Sequence, residues 1–368
     1  MLEIFRENFI AGLSIVSPVV NDKGFLPITG HVLVQVQGDK MYLTGTNLDS
    51  VANVWVGVKS QSDFSCCLPL KKLLNVLNAR NEDVVTFSYD EQKVEALLKA
   101  GRSRSKIKAI AADEFPNVQT LPQMKQNVDV SFTITAGEFV QVLNTVKGNA
   151  STDGLRQALN SLHTKLEDDQ LFVEATDGFR LCWCTVGVTS QQDGEFLPSI
   201  GGINALVRFI KSISPDEDKD LNVFASDTRF CVSADGFYFV GSMVNATYPD
   251  ASIYRDMVDS QTKIIELDKE LFKSTIKAAQ AYRSEVLLEF KDNKVAISAQ
   301  SQELGDYHDE LDFIGDGEAT VMLNISHLNE VLARLEEDKI GIKLMGDDQQ
   351  VFIIENDYRW LLMPFGRK

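Results

Sequence analysis

Apolar residues along the chain follow two rhythms, and the same succession of rhythms occurs three times. Phe9, Gly12, Leu13 and Val16 are spaced i, i+3, i+4, i+7, and so are Phe139, Val142, Leu143, Val146 and Phe272, Thr275, Ile276, Ala279. That spacing puts each set on one face of a helix. The sets begin about 130 positions apart, a repeat distance rather than a local coincidence. A second helical pattern also has three copies. Leu70, Leu73, Leu74 and Leu77 lie in "PLKKLLNVLNA", and Ile203, Leu206, Val207 and Ile210 lie in "GGINALVRFIKSI". Ile325, Leu328, Val331, Leu332 and Leu335 lie in "NISHLNEVLARL".

Between and after these helices the period changes to two, the signature of half-buried strands. "MYLTGTNLDSVANVWV", "LFVEATDGFRLCWCTV" and "VAISAQSQELGDYHDELDF" separate the two helix types. "VVTFSYDEQKVEALL", "LNVFASDTRFCVSADGFYFVGSMV" and "IGIKLMGDDQQVFIIENDYRWLLMPF" follow the second type. Each third therefore reads helix, hairpin, helix, hairpin. One apolar stripe per helix predicts helices laid on antiparallel sheets. The expectation is an α+β protein of three repeated domains, 1–122, 123–255 and 256–368, joined near Pro122 and around 255–265.

Within the middle hairpin, "VEATDGFRLCWCTV", Thr176-Asp177-Gly178-Phe179-Arg180 interrupts the alternation with turn formers and an arginine. A catalytic loop, a metal site and a hairpin corner all fit that interruption on its own. The Thr-Asp-Gly turn reads as matching a turn in the other two thirds, which favours a corner common to the repeat. Only the middle copy continues as Phe-Arg-Leu.

Composition narrows the function. The 368 residues are 44% hydrophobic and 24% charged, ordinary globular values with length enough for two or three domains. No run approaches the roughly 20 apolar residues of a membrane helix, and "MLEIFRENFIAGLSIV" lacks a basic leader and a small-residue cleavage site. A cytoplasmic protein without membrane partners is expected. Cys66, Cys67, Cys182, Cys184 and Cys231 show no zinc spacing and an odd count, so they read as reduced, buried thiols.

His31, His163, His308 and His327 are scattered, and no Gly-rich phosphate loop follows a strand. "DEDKD" at 216–220 lacks the glycine and terminal glutamate of a calcium loop. Neither an enzyme, a metal site nor a cofactor is expected. The net charge of −17 should repel nucleic acid at long range unless the basic residues are spatially sorted. Lys71 and Lys72, then Arg208 and Lys211, lie opposite the apolar stripes of equivalent helices. Lys147 and Arg156 follow the first helix of the middle third.

Several segments carry a family resemblance in this order: "LPITGHVLVQV", "LTGTNLD", "GRSRSKIKAIAADEFPN", "ATDGFRL", "YPD" and the terminal "LLMPF". Together they resemble the bacterial sliding clamp, the β subunit of DNA polymerase III, over nearly the whole chain. The resemblance implies a processivity factor: a head-to-tail homodimeric ring around duplex DNA, helices lining the hole. Enclosure needs no tight phosphate grip, so an acidic ring can stay on DNA and slide. Lys23, Lys71, Lys72, Arg80, Arg156, Arg208 and Lys211 are the implied DNA-facing residues.

The resemblance further implies a cleft where peptides of the polymerase α subunit, the clamp loader and other clamp-binding proteins dock. Its residues by matched position are Leu159, Thr176, Gly178, Phe179, Arg180, Leu181, Pro249, Ile253, His327, Gln350, Leu361, Leu362, Met363, Pro364 and Phe365. Leu159, Leu181, Leu362, Met363 and Phe365 suit a greasy pocket for a Leu or Phe anchor, with Pro364 ending the strand ladder. The chain departs from the family pattern at Phe179, usually His, and after the "YPD", where paired arginines are missing. Gln280 and Ala281 stand where apolar residues of the protomer contact are usual, and the tail "GRK" is long. A DNA-independent interaction scaffold on the same fold is the alternative.

Overall fold

The computed structural model describes residues 1–24, 26–213 and 217–366. Asp216 of the acidic run and Arg367 and Lys368 of the tail lie outside the described residues. By its contacts the chain forms two compact units, one of Met1–Leu143, Leu166–Asp169 and Val188–Asn245, the other of Asn144–Lys165, Gln170–Gly187 and Ala246–Lys368. The helices among the described residues are α1 (Arg6–Val16), α2 (Leu70–Asn78), α3 (Leu121–Met124), α4 (Ala136–Val146), α5 (Ile200–Ile213), α6 (Ser252–Ser260), α7 (Lys269–Ala279) and α8 (Ile325–Leu332).

The helical stripes read from the sequence are the buried faces. Phe9, Gly12, Leu13 and Val16 of α1, and Phe272, Thr275, Ile276 and Ala279 of α7, are all buried. Phe139, Val142, Leu143 and Val146 of α4 are buried as well. Gly12 has a steric reason: a Cβ there would come within 2.8 Å of Leu43 Cδ1 and 2.9 Å of Val56 Cγ1. Only a glycine lets α1 approach its hairpin this closely. Two helices depart from the expectation. Leu74 of α2 is only half-buried, and α8 ends at Leu332, leaving buried Leu335 beyond it.

In the first unit, five strands run in the order Lys59–Ser60, Leu2–Phe5, Val84–Asp90, Glu95–Ala100, Ser103–Lys108. Ten more form a second sheet in which strand Val51–Gly57 of the first third pairs antiparallel with Phe237–Ser242 of the middle third, Val51 opposite Val240. Repeats that look separate in the sequence therefore share one sheet. α1 packs against both α2 and α5.

The second unit repeats the arrangement. Gln170–Thr176, Arg180–Gly187, Tyr358–Leu362, Val351–Glu355, Lys339–Leu344 and Ile265–Asp268 are successive neighbours in one sheet. Its second sheet runs Gly305–Asp312, Lys294–Ser301, Glu285–Lys291, Ala319–Asn324. Helices α7 and α8 start on side-chain caps that satisfy otherwise orphaned N–H groups, whereas α6 has none. Asp268 accepts from Leu271 N at 2.8 Å for α7, and Asn324 from Ser326 N at 2.8 Å for α8. The joint expected around 255–265 overlaps α6, which runs Ser252–Ser260.

Candidate docking corner

The site is a hairpin corner with a strand beside it. Strands Gln170–Thr176 and Arg180–Gly187 close on Thr176 opposite Leu181. Inside the corner Thr176 Oγ1 donates to Arg180 O at 2.6 Å and accepts from Gly178 N at 3.0 Å. Asp177 Oδ1 accepts from Phe179 N at 2.9 Å and Arg180 N at 3.1 Å. These are the bonds that make Thr and Asp turn formers. Gly178 takes φ +91°, a conformation side chains avoid. Asp177 is thus fully occupied as a structural residue.

Strand Tyr358–Leu362 lies beside the corner, with Leu181 opposite Leu361 and Arg180 opposite Leu362. The ladder runs one residue further, Met363 N donating to Phe179 O at 2.9 Å. Pro364 has no N–H to continue it, and Phe365 N turns instead to Met322 O at 2.8 Å. Leu181, Trp183, Ala251, Val258, Phe352 and Leu361 form the buried floor, with Tyr254, Met257 and Met363 packed on it. Above the floor large apolar side chains face solvent: Phe179 is 59% exposed, Ile253 63% and Phe365 42%. Exposed apolar groups gathered around one apolar floor are the usual mark of a docking surface.

The electrostatics are closed off. Arg180 is 8% exposed, and its Nε donates to Asp177 Oδ2 at 2.9 Å and its Nη1 to Glu330 Oε2 of α8 at 2.7 Å. His327, also on α8, is held below its ordinary pKa by burial and then by the Arg180 charge. Burial pushes the Cys184 thiol up to about 12 and raises Cys182 as well. Neither thiol on the corner's strand is a nucleophile at neutral pH. Cys66, Cys67 and Cys231 are pushed up to about 12 for the same reason. Among the described residues no group of three or more His, Cys, Asp or Glu is placed to hold a metal ion, and no helix is long and apolar enough to cross a membrane.

The remaining expected site residues are placed as follows. Leu159 is half-buried in a short turn whose O accepts from Ser151 N. Pro249 is exposed just before α6, and Gln350 is half-buried with its Oε1 enclosed. Lys71 and Lys72 on α2, and Arg208 and Lys211 on α5, are exposed in the first unit, as is Lys23. Arg80 differs from that set, half-buried with an enclosed Nε. Arg156 is engaged locally, donating to Asp177 O at 3.3 Å and pairing with Asp153 at 3.7 Å. The corner's matching to other thirds is corrected by half. Thr46–Ser50 repeats it bond for bond, but the third copy is a different turn, Ser301 opposite Gly305. Sequence reading missed Glu330, which lies 150 positions from the arginine it neutralises and carries no local signal.

Comparison with solved structures places the architecture among sliding clamps. The DNA polymerase III subunit beta from Pseudomonas aeruginosa superposes with TM-score 0.91 at 22% identity, covering 100% of both chains. The DNA polymerase III beta subunit from Thermotoga maritima gives 0.88 at 17%, covering 100% of both chains. In sequence, the beta sliding clamp of Haemophilus influenzae is 26% identical over 376 residues, 98% of both chains. That of Escherichia coli is 25% identical over 354 residues, 92% of this chain and 91% of the relative. The family models for the N-terminal, central and C-terminal domains of the DNA polymerase III beta subunit match residues 1–119, 133–250 and 258–360. The chain belongs to the DNA polymerase III beta subunit family and is a sliding clamp.

Proposed function

We propose that this clamp closes as a head-to-tail homodimer around duplex DNA and tethers the replicative polymerase, without chemistry of its own. The observation that carries the reading is a pair of unlike sheet edges. Strand Ser103–Lys108 is an edge of its sheet and exposes Arg104, Lys106 and Lys108 on one face. Strand Gly305–Asp312 is an edge of another and exposes Asp306, His308, Glu310 and Asp312. A bare edge invites another strand, and opposite charges select which one. Pairing basic edge to acidic edge between copies is heterologous, and two such contacts close a ring. Gln280 and Ala281 at the end of α7 are exposed and polar or small, so charge supplies more of this contact than apolar burial does.

Inside such a ring, exposed Lys71, Lys72, Arg208 and Lys211, with Lys23, would guide DNA through screened contacts. The domain boundaries 1–122, 123–255 and 256–368 and a cytoplasmic location belong to this same reading. The corner at 176–180 with residues 361–365 would take peptides of the polymerase α subunit and the clamp loader, its anchors filling the floor between Leu181 and Met363. Family membership favours a clamp over a DNA-independent scaffold, and one experiment separates them. Native mass measurement should give a dimer near twice 41.0 kDa that dissociates as salt is raised. Loaded on nicked circular DNA by a clamp loader, the protein should be retained and then lost when the DNA is linearised. A monomer at all salt concentrations, or retention after linearisation, contradicts the proposal.

A further inference from the structure

Beneath the docking corner lies a buried charged cluster that docking alone does not require. Glu174 is 1% exposed in the strand that leads into the corner. Its Oε2 accepts from Arg255 Nη1 of α6 at 2.8 Å, and its Oε1 lies 2.6 Å from His163 Nδ1. The Arg255 guanidinium sits 5.0 Å over the Phe172 ring, and His163 stacks on Tyr248 at 5.0 Å and 24°. The Tyr248 phenol oxygen accepts the backbone N–H of Thr176 at 3.0 Å, the first residue of the corner. One carboxylate thus ties together the corner's strand, the segment carrying Tyr248 and Pro249, and α6 with Ile253.

A pair of well-packed apolar residues would serve stability at least as well, because desolvating a carboxylate and a guanidinium is costly. What the ion pair adds is a single allowed placement. An apolar contact lets α6 slide or rotate on its cluster with Leu181, Leu361 and Met363, whereas the Glu174–Arg255 pair is satisfied in one register only. We propose that Glu174 is a positioning residue that presets α6 and the Tyr248–Asp250 segment against the corner, so that the peptide site is formed before the peptide arrives. The proposal rests on the docking reading of the corner. Its benefit is preorganisation: binding need not order the walls of its own site.

The test uses the full chain and a fluorescein-labelled six-residue peptide with leucine and phenylalanine anchors, read by anisotropy. Glu174→Gln keeps the volume and weakens the ionic grip. Glu174→Leu with Arg255→Leu replaces the ion pair by an apolar one and preserves folding. Both should raise the peptide Kd about tenfold, the effect of losing one charge-assisted bond's worth of order. Amide exchange across 252–260 should quicken in both, while the melting temperature of the double variant stays within about 3 °C of wild type. Wild-type affinity in both variants, with Met363→Ala still weakened, overturns the positioning role. So does a fall in melting temperature with unchanged affinity, which marks a merely structural residue. Unchanged affinity in Met363→Ala overturns the docking reading itself, and the positioning role with it.

Discussion

Two corners of this molecule are built on the same bonds and used differently. At 46–50, Thr46 Oγ1 donates to Ser50 O at 2.8 Å and accepts from Leu48 N at 3.0 Å, while Asn47 Oδ1 accepts from Asp49 N and Ser50 N at 3.1 and 2.7 Å. At 176–180, Thr176 and Asp177 do the same within a few tenths of an ångström. Both are followed by a strand paired with the end of a later one, Val51 with Val240 and Leu181 with Leu361. Each floor is covered by a linker segment, Leu121 and Met124 of α3 in one case, Ala251 just before α6 and Val258 within it in the other.

The corners diverge at one carbonyl. Asp49 O is taken by the side chain of Arg229 at 2.7 Å, so the first corner is capped. Phe179 O is taken by the backbone of Met363 at 2.9 Å, which brings the apolar terminal strand alongside and leaves Phe179 and Phe365 facing solvent. The turn is scaffold; a few side chains around it decide whether it closes a junction or leaves the exposed apolar surface proposed for docking.

The largest way to break this comparison is to truncate the floors. Leu181→Ala and Met363→Ala should each weaken a clamp-binding peptide by about 1–3 kcal/mol, the range for interface anchors, by anisotropy titration. The counterpart Val51→Ala should leave peptide affinity unchanged and cost about 1–3 kcal/mol in urea unfolding. Next come the residues that close the turns. Arg180→Ala strips the cation from Asp177 and Glu330 and should destabilise by about 1–3 kcal/mol. Ser50→Ala should cost about nothing, since the buried Ser50 hydroxyl has no hydrogen-bond partner among the described residues. Below the Arg180 effect, Gly178→Ala should cost about 1 kcal/mol at its φ of +91°, whereas Leu48→Gly should be nearly neutral. At Leu48, relief of the strain at φ +80° offsets the entropy a glycine adds to the unfolded chain.

The smallest effect is a pH slope confined to the open corner's unit. His327 titrates below 6.5 because burial and Arg180 disfavour its charged form. The unfolded chain therefore binds more protons just below pH 6.5, and stability falls as pH drops through that window toward the lowered folded value. His327→Gln should flatten this part of a stability–pH curve, and an unchanged slope would assign it to other groups.

The helical stripes were legible because a period of 3.6 names the buried face whatever the partner, as at Phe9 or Phe272. The corner was legible as a turn, since Thr-Asp-Gly writes its own local hydrogen bonds. What separates the two corners was not. Arg229 and Met363 lie 180 and 184 positions from the carbonyls they satisfy, and nothing local marks the pairing. The helix at 252–260 was not legible, because Arg255 reaching the buried Glu174 is a tertiary bond that the polar local pattern does not announce. The third turn was misjudged because Ser301 and Gly305 close a shorter loop with the same turn-forming residue types.

Calorimetric titration of the protein with a clamp-binding peptide tests the central claim most directly, because it counts sites per chain. One open corner and one capped corner predict a single site per protomer, abolished or strongly weakened by Met363→Ala and untouched by Val51→Ala. Two equivalent sites per protomer, or a single site lost in Val51→Ala and retained in Met363→Ala, would contradict the account.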